Sequence, residues 1–292
     1  MTNILDKLYK NSKTILIDND SKFVIMSDCH RGDGNNYDDF HKNQNIFKAA
    51  LNYYYKNEFT YIELGDGDEL WEVKDYNEII NAYLDVFKLL KKFLDNGRLI
   101  MLFGNHDIIK KDNSILEQFF YNYYDEGSKE TLDLLKGLVV DESLILKYMN
   151  RNIFLLHGHQ ADFISGTLWR MSKFLVRYFW RPLSMIGIND LTSAAKNNQV
   201  AKIVEKKLQR WSNEHNTIVI SGHTHRPIFP KNGESLYFND GSCIHPNGIT
   251  CLEIVDGTIS LVKWQLSVTD DGIVYTEKNV LAGKQNIEKF FK

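Results

Sequence analysis

Short apolar runs alternate with helical patterns along the first hundred residues of the chain. The runs at residues 22–26, 61–64 and 99–103 predict strands. Between them, residues 40–56 and 77–95 carry apolar side chains at helical spacing. This β-α-β-α-β order is typical of a largely parallel sheet that lies between helices.

The pattern changes in the second half. Residues 144–148 and 153–156 predict a hairpin, and residues 163–212 are mostly helical in pattern. Short strands return after Thr217, at residues 217–220, 235–239, 249–255 and 258–264. We therefore predict one layered α/β domain over residues 1–292, with a helical cap inserted at 163–212 and a short helix after Gly283.

A cluster of small and polar residues follows each predicted strand of the body. The clusters are Asp28-Cys29-His30, Gly65-Asp66, Gly104-Asn105-His106-Asp107, His157-Gly158-His159 and Gly222-His223-Thr224-His225. Ligands of layered α/β sheets lie beyond the carboxyl ends of the strands, so we expect the clusters to meet at one rim. Imidazole and carboxylate ligands together favour manganese, iron, zinc or cobalt over calcium and magnesium. The glycines are expected to let the backbone turn sharply.

In order along the chain, these clusters resemble the motifs of the calcineurin-like metallophosphoesterase superfamily. The motifs are D-x-H, G-D-x-x-[DE], G-N-H-[DE], a histidine at a strand end, and G-H-x-H, and the resemblance covers roughly residues 22–260. It implies a four-layer α/β/β/α sandwich and two divalent metal ions, with Mn²⁺ expected and Fe, Zn or Co as alternatives. It also implies hydrolysis of a phosphoester or pyrophosphate bond.

The resemblance assigns a role to each matching residue. The first metal would be bound by Asp28, His30 and His225, the second by Asn105, His157 and His223, and both by Asp66 as a bridge. His106 would act as proton donor or transition-state stabiliser, and Asp107 would orient His106.

Three further residues near these motifs have open interpretations. Arg31 follows His30 and is a candidate for the cation that stabilises the transition state, or equally a surface arginine. His159 could support a ligand, face the substrate or only form a turn. Cys29 should point away from the metals, because neighbouring residues in extended chain point in opposite directions.

The cap segment suggests a substrate class. Its residues 167–181 are rich in apolar and aromatic side chains, and basic residues recur at spacings of three and four: Arg170, Lys173, Arg177 and Arg181. Such a helix can lie at a membrane surface, wall a site for an acyl chain beside a phosphate, or simply pack on the body. We take Arg170, Lys173 and Arg177, together with His159, as candidate substrate contacts.

The position of the cap, between the His157 and His223 clusters, resembles the UDP-2,3-diacylglucosamine hydrolase branch of the superfamily. Residues 65–71, with Glu69 and Trp71, and residues 237–241 also resemble that branch. Two features depart from it: His157-Gly158-His159 replaces the more usual His-Gly-Asp, and the cap does not repeat that enzyme's substrate-contact pattern. The leading hypothesis is therefore a phosphohydrolase for a UDP-linked or lipid-linked substrate.

Other functions predict different features. A soluble phosphodiesterase or phosphatase for nucleotides or phosphoproteins would use the cap only for packing. A non-catalytic protein-binding scaffold would be expected to have lost ligands, whereas all seven ligand positions are filled here. The formal net charge of −3 disfavours binding to nucleic acid over a broad face.

Composition favours a cytoplasmic protein. The N-terminal segment has no apolar run typical of a signal peptide, and the three cysteines form no CxxC pair. We expect a cytoplasmic location, with peripheral membrane contact through the cap as the lipid hypothesis requires.

Overall fold

The computed structural model describes residues 2–73, 75–162 and 197–291. The helices are α1 Thr2–Asn11, α2 Gln44–Lys56, α3 Tyr76–Ala82, α4 Leu84–Asp95, α5 Asn113–Phe119 and α6 Asn198–Glu214. The strands are β1 Lys13–Ile17, β2 Phe23–Met26, β3 Thr60–Leu64, β4 Leu99–Leu102, β5 Asn122–Asp125, β6 Glu130–Asp133, β7 Val140–Asp141, β8 Ser143–Tyr148, β9 Arg151–Leu156, β10 Ile218–Ser221, β11 Tyr237–Asn239, β12 Ile249–Val255, β13 Thr258–Val268 and β14 Val274–Asn286. Short 3-10 helices lie at Asp39–Lys42, Ile108–Lys111, His159–Ala161 and Ile287–Phe290.

Two mixed sheets form the body. The five-stranded sheet has the order β1-β8-β9-β10-β11, and the seven-stranded sheet has the order β14-β13-β12-β2-β3-β4-β7. A separate small hairpin joins β5 and β6. Strands β2, β3 and β4 are parallel, as are β9 and β10, so their carboxyl ends point the same way within each sheet.

The alternation of side chains along β2 shows how the layers are stacked. Phe23 and Ile25 belong to the apolar core shared by the two sheets, whereas Val24 and Met26 belong to the core between the seven-stranded sheet and α2, α3 and α4. A third core lies on the far side, where α1 and α6 cover β9 and β10 through residues such as Leu208. The order helix, sheet, sheet, helix is the four-layer α/β/β/α arrangement that the resemblance implied, and the predicted fold class is confirmed.

Several boundaries differ from the sequence-based prediction. The helix predicted over 77–95 is two helices, because Tyr83 leaves the helical conformation and its buried hydroxyl donates to Asp38. Helices α1 and α5 and strands β1, β5, β6, β7 and β14 were not predicted. The tail after Gly283 continues β14 and ends in the short 3-10 helix Ile287–Phe290.

The predicted cap lies largely outside the described residues. Within 163–212 the structure describes only residues 197–212, where α6 confirms the helical pattern. The predicted substrate contacts Arg170, Lys173 and Arg177 fall outside the described part. Of the helices that the structure does describe, none is long and apolar enough to cross a membrane.

Candidate metal centre

Asp28, His30 and His225 form a first ligand cluster where loops from the two sheets meet. The His225 Nε2 atom lies 3.1 Å from Asp28 Oδ1, and His30 Nε2 lies 3.7 Å from the same oxygen. The two Nε2 atoms are 3.3 Å apart. Ligands bound at about 2.1 Å to one ion lie about 3.0–3.4 Å from each other. These three side chains can therefore hold one divalent ion.

Asp66, His157 and His223 form a second cluster beside the first, and the buried Asn105 directly precedes His106, whose backbone N–H donates to Asp66. The ligand atoms of Asp66, His157 and His223 all lie within 4.8 Å of one another, and Asp66 Oδ2 is 3.1 Å from His157 Nε2. His157 Nδ1 is 2.9 Å from the carbonyl oxygen of Leu64. A proton on Nδ1 for that bond leaves the lone pair of Nε2 free to bind a metal.

Asp66 lies between the two clusters. Its Oδ2 atom is 3.8 Å from His30 Nε2 in the first cluster and 3.1 Å from His157 Nε2 in the second. Asp66 Oδ1 accepts a hydrogen bond from the backbone N–H of His106 at 2.8 Å, which fixes the carboxylate plane. One carboxylate is thus within reach of both candidate ion positions.

Unsatisfied buried atoms support this interpretation. Asp28 Oδ1, Asn105 Oδ1 and His157 Nε2 are buried and have no hydrogen-bond partner of suitable geometry. A buried polar atom without a partner costs roughly 1–3 kcal/mol, so three at one place need an explanation. All three are atoms that bind divalent cations, and the residues present therefore fit a pair of metal ions.

The electrostatic field of the cluster also favours cations. Burial alone would lower the pKa of His157, but the carboxylates of Asp66 and Asp28 raise it to about 9. Burial alone would raise the pKa of Asp28, yet His225 and His157 hold it well below its ordinary value. The cluster is thus a place where positive charge is stabilised and the carboxylates stay ionised.

The ligand loops hold strained backbone. Five of the predicted ligands are non-glycine residues with positive φ: Asp28 at 52°, His30 at 48°, Asp66 at 50°, His223 at 68° and His225 at 54°. This conformation is unfavourable for residues with a Cβ atom and is concentrated at functional sites. Half of the ten non-glycine residues with positive φ in the described part of the chain are therefore candidate metal ligands.

Glu69, and not Asp107, orients His106. His106 Nδ1 lies 2.8 Å from Glu69 Oε1, and His30 Nδ1 lies 2.9 Å from Glu69 Oε2. The ring of Trp71 stacks on His106 with 4.2 Å between centroids. One carboxylate therefore connects a candidate metal ligand with the candidate proton donor.

Asp107 has a different task, and its predicted role is corrected. Its carboxylate is fully buried and accepts hydrogen bonds from the backbone N–H groups of Gly104, Asp66 and Gly67 at 2.7, 3.2 and 3.1 Å. Lys110 Nζ donates to it at 2.9 Å. Asp107 thus holds together the loops that carry Asp66 and Asn105.

Arg31 is neither a surface arginine nor a free cation at the rim. It is fully buried, donates to both carboxylate oxygens of Glu63 at 2.8 Å, and donates through Nε to Asp68 at 2.6 Å. Because the guanidinium is fully buried and three of its five N–H donors bind two carboxylates, Arg31 cannot reach a phosphoryl group at the rim without breaking this network. The prediction that it stabilises the transition state is not supported.

His159 and Cys29 also have clear positions. His159 is 3% exposed and lies beside His157 and Phe103. Burial, together with the charges of His157 and His223, holds the pKa of His159 well below its ordinary value. A neutral, buried ring suits a supporting residue better than a substrate contact. Cys29 belongs to the helix-side core, away from the ligands, as predicted.

Gly222 and Gly104 are needed because neighbouring side chains pack directly against their backbone, and not because the chain turns sharply there. A Cβ atom on Gly222 would lie 2.1 Å from Ser27 Oγ and 2.5 Å from Asp28 Oδ2, and one on Gly104 would lie 2.1 Å from Asp66 Oδ1. Neither has the positive φ found at Gly65 and Gly158. Of these four glycines, only Gly65 and Gly158 have the backbone conformation that the predicted sharp turns require.

Ser27, Asn239 and Asp240 support the ligands, although no role was predicted for Ser27 and residues 237–241 were noted only as resembling the hydrolase branch. Ser27 Oγ lies 2.5 Å from Asp28 Oδ2 and 2.7 Å from Asp240 Oδ1, which leaves Asp28 Oδ1 toward the ligand cluster. Asn239 Nδ2 donates to the carbonyl oxygen of Gly222 at 2.7 Å. A buried Asn-Asp pair after a strand, as here after β11, is the signal that could have identified this support.

Comparison with known proteins agrees with this geometry. Residues 21–227 match the family model described as calcineurin-like phosphoesterase. No curated protein sequence matches the chain significantly.

Solved structures that resemble the chain share little sequence with it. One is a conserved uncharacterised protein, a predicted phosphoesterase, from Streptococcus pneumoniae, with 15% identity, 89% of this chain and 97% of the other covered, and a TM-score of 0.34. Another is Vacuolar Protein Sorting 29 from Cryptosporidium parvum, with 14% identity, 90% and 100% coverage, and a TM-score of 0.40. The family model spans well over half of the chain and contains all the candidate ligands, so the chain belongs to the calcineurin-like phosphoesterase family and is a metal-dependent phosphoesterase.

Proposed function

We propose that this phosphoesterase holds two divalent ions, with Mn²⁺ expected, and hydrolyses a phosphoester or pyrophosphate bond in a UDP-linked or lipid-linked substrate. The observation that carries the proposal is the convergence of buried, unpartnered ligand atoms from Asp28, Asn105 and His157 at one rim. Such atoms are costly unless they bind a cation.

The ligand assignment follows the two clusters. Asp28, His30 and His225 would hold one ion, Asn105, His157 and His223 would hold the other, and Asp66 would contact both. When bound, two such ions polarise a phosphoryl group and lower the pKa of a water molecule toward neutrality. The protein's own contribution is to fix the ligand positions through strained loops and the supporting contacts of Ser27.

His106 would assist the leaving group. The contact between its Nδ1 and Glu69 leaves Nε2 as the ring atom that can face a substrate. Burial alone would lower the pKa of His106, but the carboxylates of Glu69 and Asp66 raise it above its ordinary value. A protonated ring held against Trp71 can donate a proton to a departing oxygen or stabilise the charge that develops there.

The substrate class rests on the branch resemblance. Glu69 and Trp71, which match the acid and tryptophan positions of that branch, both contact His106. Arg170, Lys173 and Arg177 would bind the phosphate or the membrane surface near an acyl chain.

The test compares two substrates on the Mn²⁺-loaded enzyme. A UDP-linked acylated sugar should be cleaved much faster than bis-p-nitrophenyl phosphate, and Asp66→Asn should abolish both activities. The control is His41→Ala, which changes an exposed histidine outside the ligand set and should leave both rates unchanged.

Three outcomes are informative. Cleavage of the small diester alone would contradict the lipid-linked substrate while supporting the metal site, and the search would then move to nucleotides. Charge reversal of Arg170 and Arg177 without effect on lipid-substrate turnover or on binding to anionic vesicles would remove the cap from the proposal. No hydrolysis of any phosphoester would contradict the whole proposal.

A further inference from the structure

The hairpin of β13 and β14 extends beyond the rest of its sheet. Strand β12 pairs with β13 only as far as Trp264, which is opposite Ile249. In the described part of the chain, residues 265–268 and 274–277 pair only with each other. This extension is called the ribbon below. Strand β12 is antiparallel to both β2 and β13, so β2 and β13 run in the same direction. The ribbon therefore extends beyond the edge of the sheet at which β2 ends.

The two faces of the ribbon have opposite character. On one face Gln265 and Ser267 donate hydrogen bonds to Glu277 at 3.3 and 2.6 Å. On the other face Val268 is opposite Val274, and Leu266 lies beside that pair. Val268 is 63% exposed, Val274 is 61% exposed and Leu266 is 53% exposed.

This alternation is the pattern of a strand pair with one face covered. A two-stranded ribbon is marginally stable in water unless a further layer packs on it. The polar face already has its hydrogen bonds, so the missing layer belongs on the face of Leu266, Val268 and Val274. None of the described residues supplies that layer, since all three side chains are more than half exposed.

The exposed face continues onto the body of the protein. Trp264 lies on the same face of β13 and contacts Tyr53 of α2, with 5.3 Å between ring centroids. Tyr53 is itself 39% exposed, and Val280 of β14 is 52% exposed. With Ile273 at the turn, this face exposes on the order of 500 Å² of apolar area, which is near the upper end for a monomer. Each partner of a standard interface contributes ~800 Å².

Charges lie at opposite ends of this surface. The turn carries Asp270 and Asp271, whereas at the base Lys278 Nζ is already paired with Glu253 at 2.6 Å. Lys278 Nζ lies 4.9 Å above the Tyr53 ring. An antiparallel two-fold arrangement would keep the acidic turns of the two copies at opposite ends of the interface, and the apolar strips would meet in the middle. Two carboxylates at the turn also disfavour its insertion into an anionic lipid surface.

We propose that the ribbon is a homodimer interface, in which the apolar face of Leu266, Val268 and Val274 packs against the same face of a second copy of this chain. The exposed apolar area matches the apolar share, somewhat over half, of the ~800 Å² that each partner of a standard interface contributes, and an apolar strip is complementary to a second copy of itself. The interface would lie beside the edge that carries the metal centre without supplying any ligand to it.

Sedimentation velocity on the full chain over about 1–100 µM tests the proposal. The wild type should sediment as a dimer. The variant L266T/V274T keeps β-forming residues, so its ribbon should persist, and its dimer Kd should rise by about a hundredfold or more. The matched control is L16T/V139T, which changes two other exposed apolar residues and should leave the dimer intact.

Hydrolysis of bis-p-nitrophenyl phosphate in the same samples checks folding, because the ribbon contains no ligand and the rate should stay within twofold. A wild type that is monomeric at ~100 µM would overturn the proposal. A dimer that L266T/V274T leaves intact would also overturn it, since another surface would then be responsible. Vesicle binding lost in L266T/V274T, with a monomeric wild type, would assign the face to lipid instead.

Discussion

A network of buried charged side chains beneath the metal centre predicts how replacing Lys110 changes stability. In order of contact, the network consists of Glu63, Arg31, Asp68, Lys110 and Asp107, and each of these residues is at most 3% exposed. Lys110 Nζ lies 2.6 Å from Asp68 Oδ2 and 2.9 Å from Asp107 Oδ2. Replacing Lys110 by Met keeps the length of the side chain and removes only the charge and its contacts.

The magnitude follows from the charge count. Three carboxylates and two cations give the network a net charge of −1, and Lys110→Met makes it −2 with two carboxylates missing a partner. Breaking a buried ion pair from one side costs about 3–5 kcal/mol of unfolding free energy. For a domain of this size that corresponds to a fall in Tm of roughly 10 °C.

Thermal and urea unfolding of the metal-free protein measure this change. The control is Lys91→Met, because the Lys91–Asp95 pair at 2.8 Å is exposed to solvent. That variant should lose less than ~1 kcal/mol. In an Asp68→Asn background, Lys110→Met should cost about 2 kcal/mol less than it does alone, since only Asp107 then loses a charged partner.

The network should also affect function, because Asp107 holds the backbone N–H groups of Asp66 and Gly104. Lys110→Met is therefore expected to weaken Mn²⁺ binding by about 10–100-fold. If Lys110→Met and Lys91→Met have equal unfolding free energies, the buried network contributes nothing to stability and the reasoning is wrong.

Three further predictions concern the site itself. His106→Ala should keep its Mn²⁺ stoichiometry in calorimetry and lose roughly 10²–10⁴-fold in turnover, and a normal turnover would remove His106 from the mechanism. Glu69→Gln should weaken Mn²⁺ binding by about 10–100-fold and also lower turnover, because one carboxylate serves both a ligand and His106; an effect on only one of the two would separate these roles. Gly222→Ala should lower Tm and metal affinity, because the new Cβ would lie 2.5 Å from Asp28 Oδ2. Gly127→Ala, where the nearest atom is 3.3 Å away, is its control, and equal effects would refute the steric explanation.

Sequence reasoning located the fold's central elements because their signals are local. Strands β2, β3 and β4 are short apolar runs that end in glycine, aspartate or asparagine, and each lies within one or two residues of its predicted position. Strand β14 was missed because much of it is exposed and its pairing with β13 is irregular near Leu261. A strand that is largely exposed in the described part of the chain lacks the buried apolar run on which the prediction depends.

The supporting contacts of the site were harder to predict because they join residues that are distant along the chain. The sequence placed Asp107 beside His106 as its neighbour, yet the fold brings Glu69 to that ring and turns Asp107 toward the backbone of Asp66. The burial of Arg31 had one local signal. Glu63 stands within the apolar strand β3, and a carboxylate in such a strand requires a buried cation.

The measurement that tests the central claim most directly is a Mn²⁺ titration of the metal-free protein by calorimetry, followed by hydrolysis of bis-p-nitrophenyl phosphate at each point. Two ions should bind per chain, activity should rise as the sites fill, and Asp66→Asn should lose both binding and activity. Hydrolysis that is unchanged without metal, or full binding and activity in Asp66→Asn, would refute the two-metal centre.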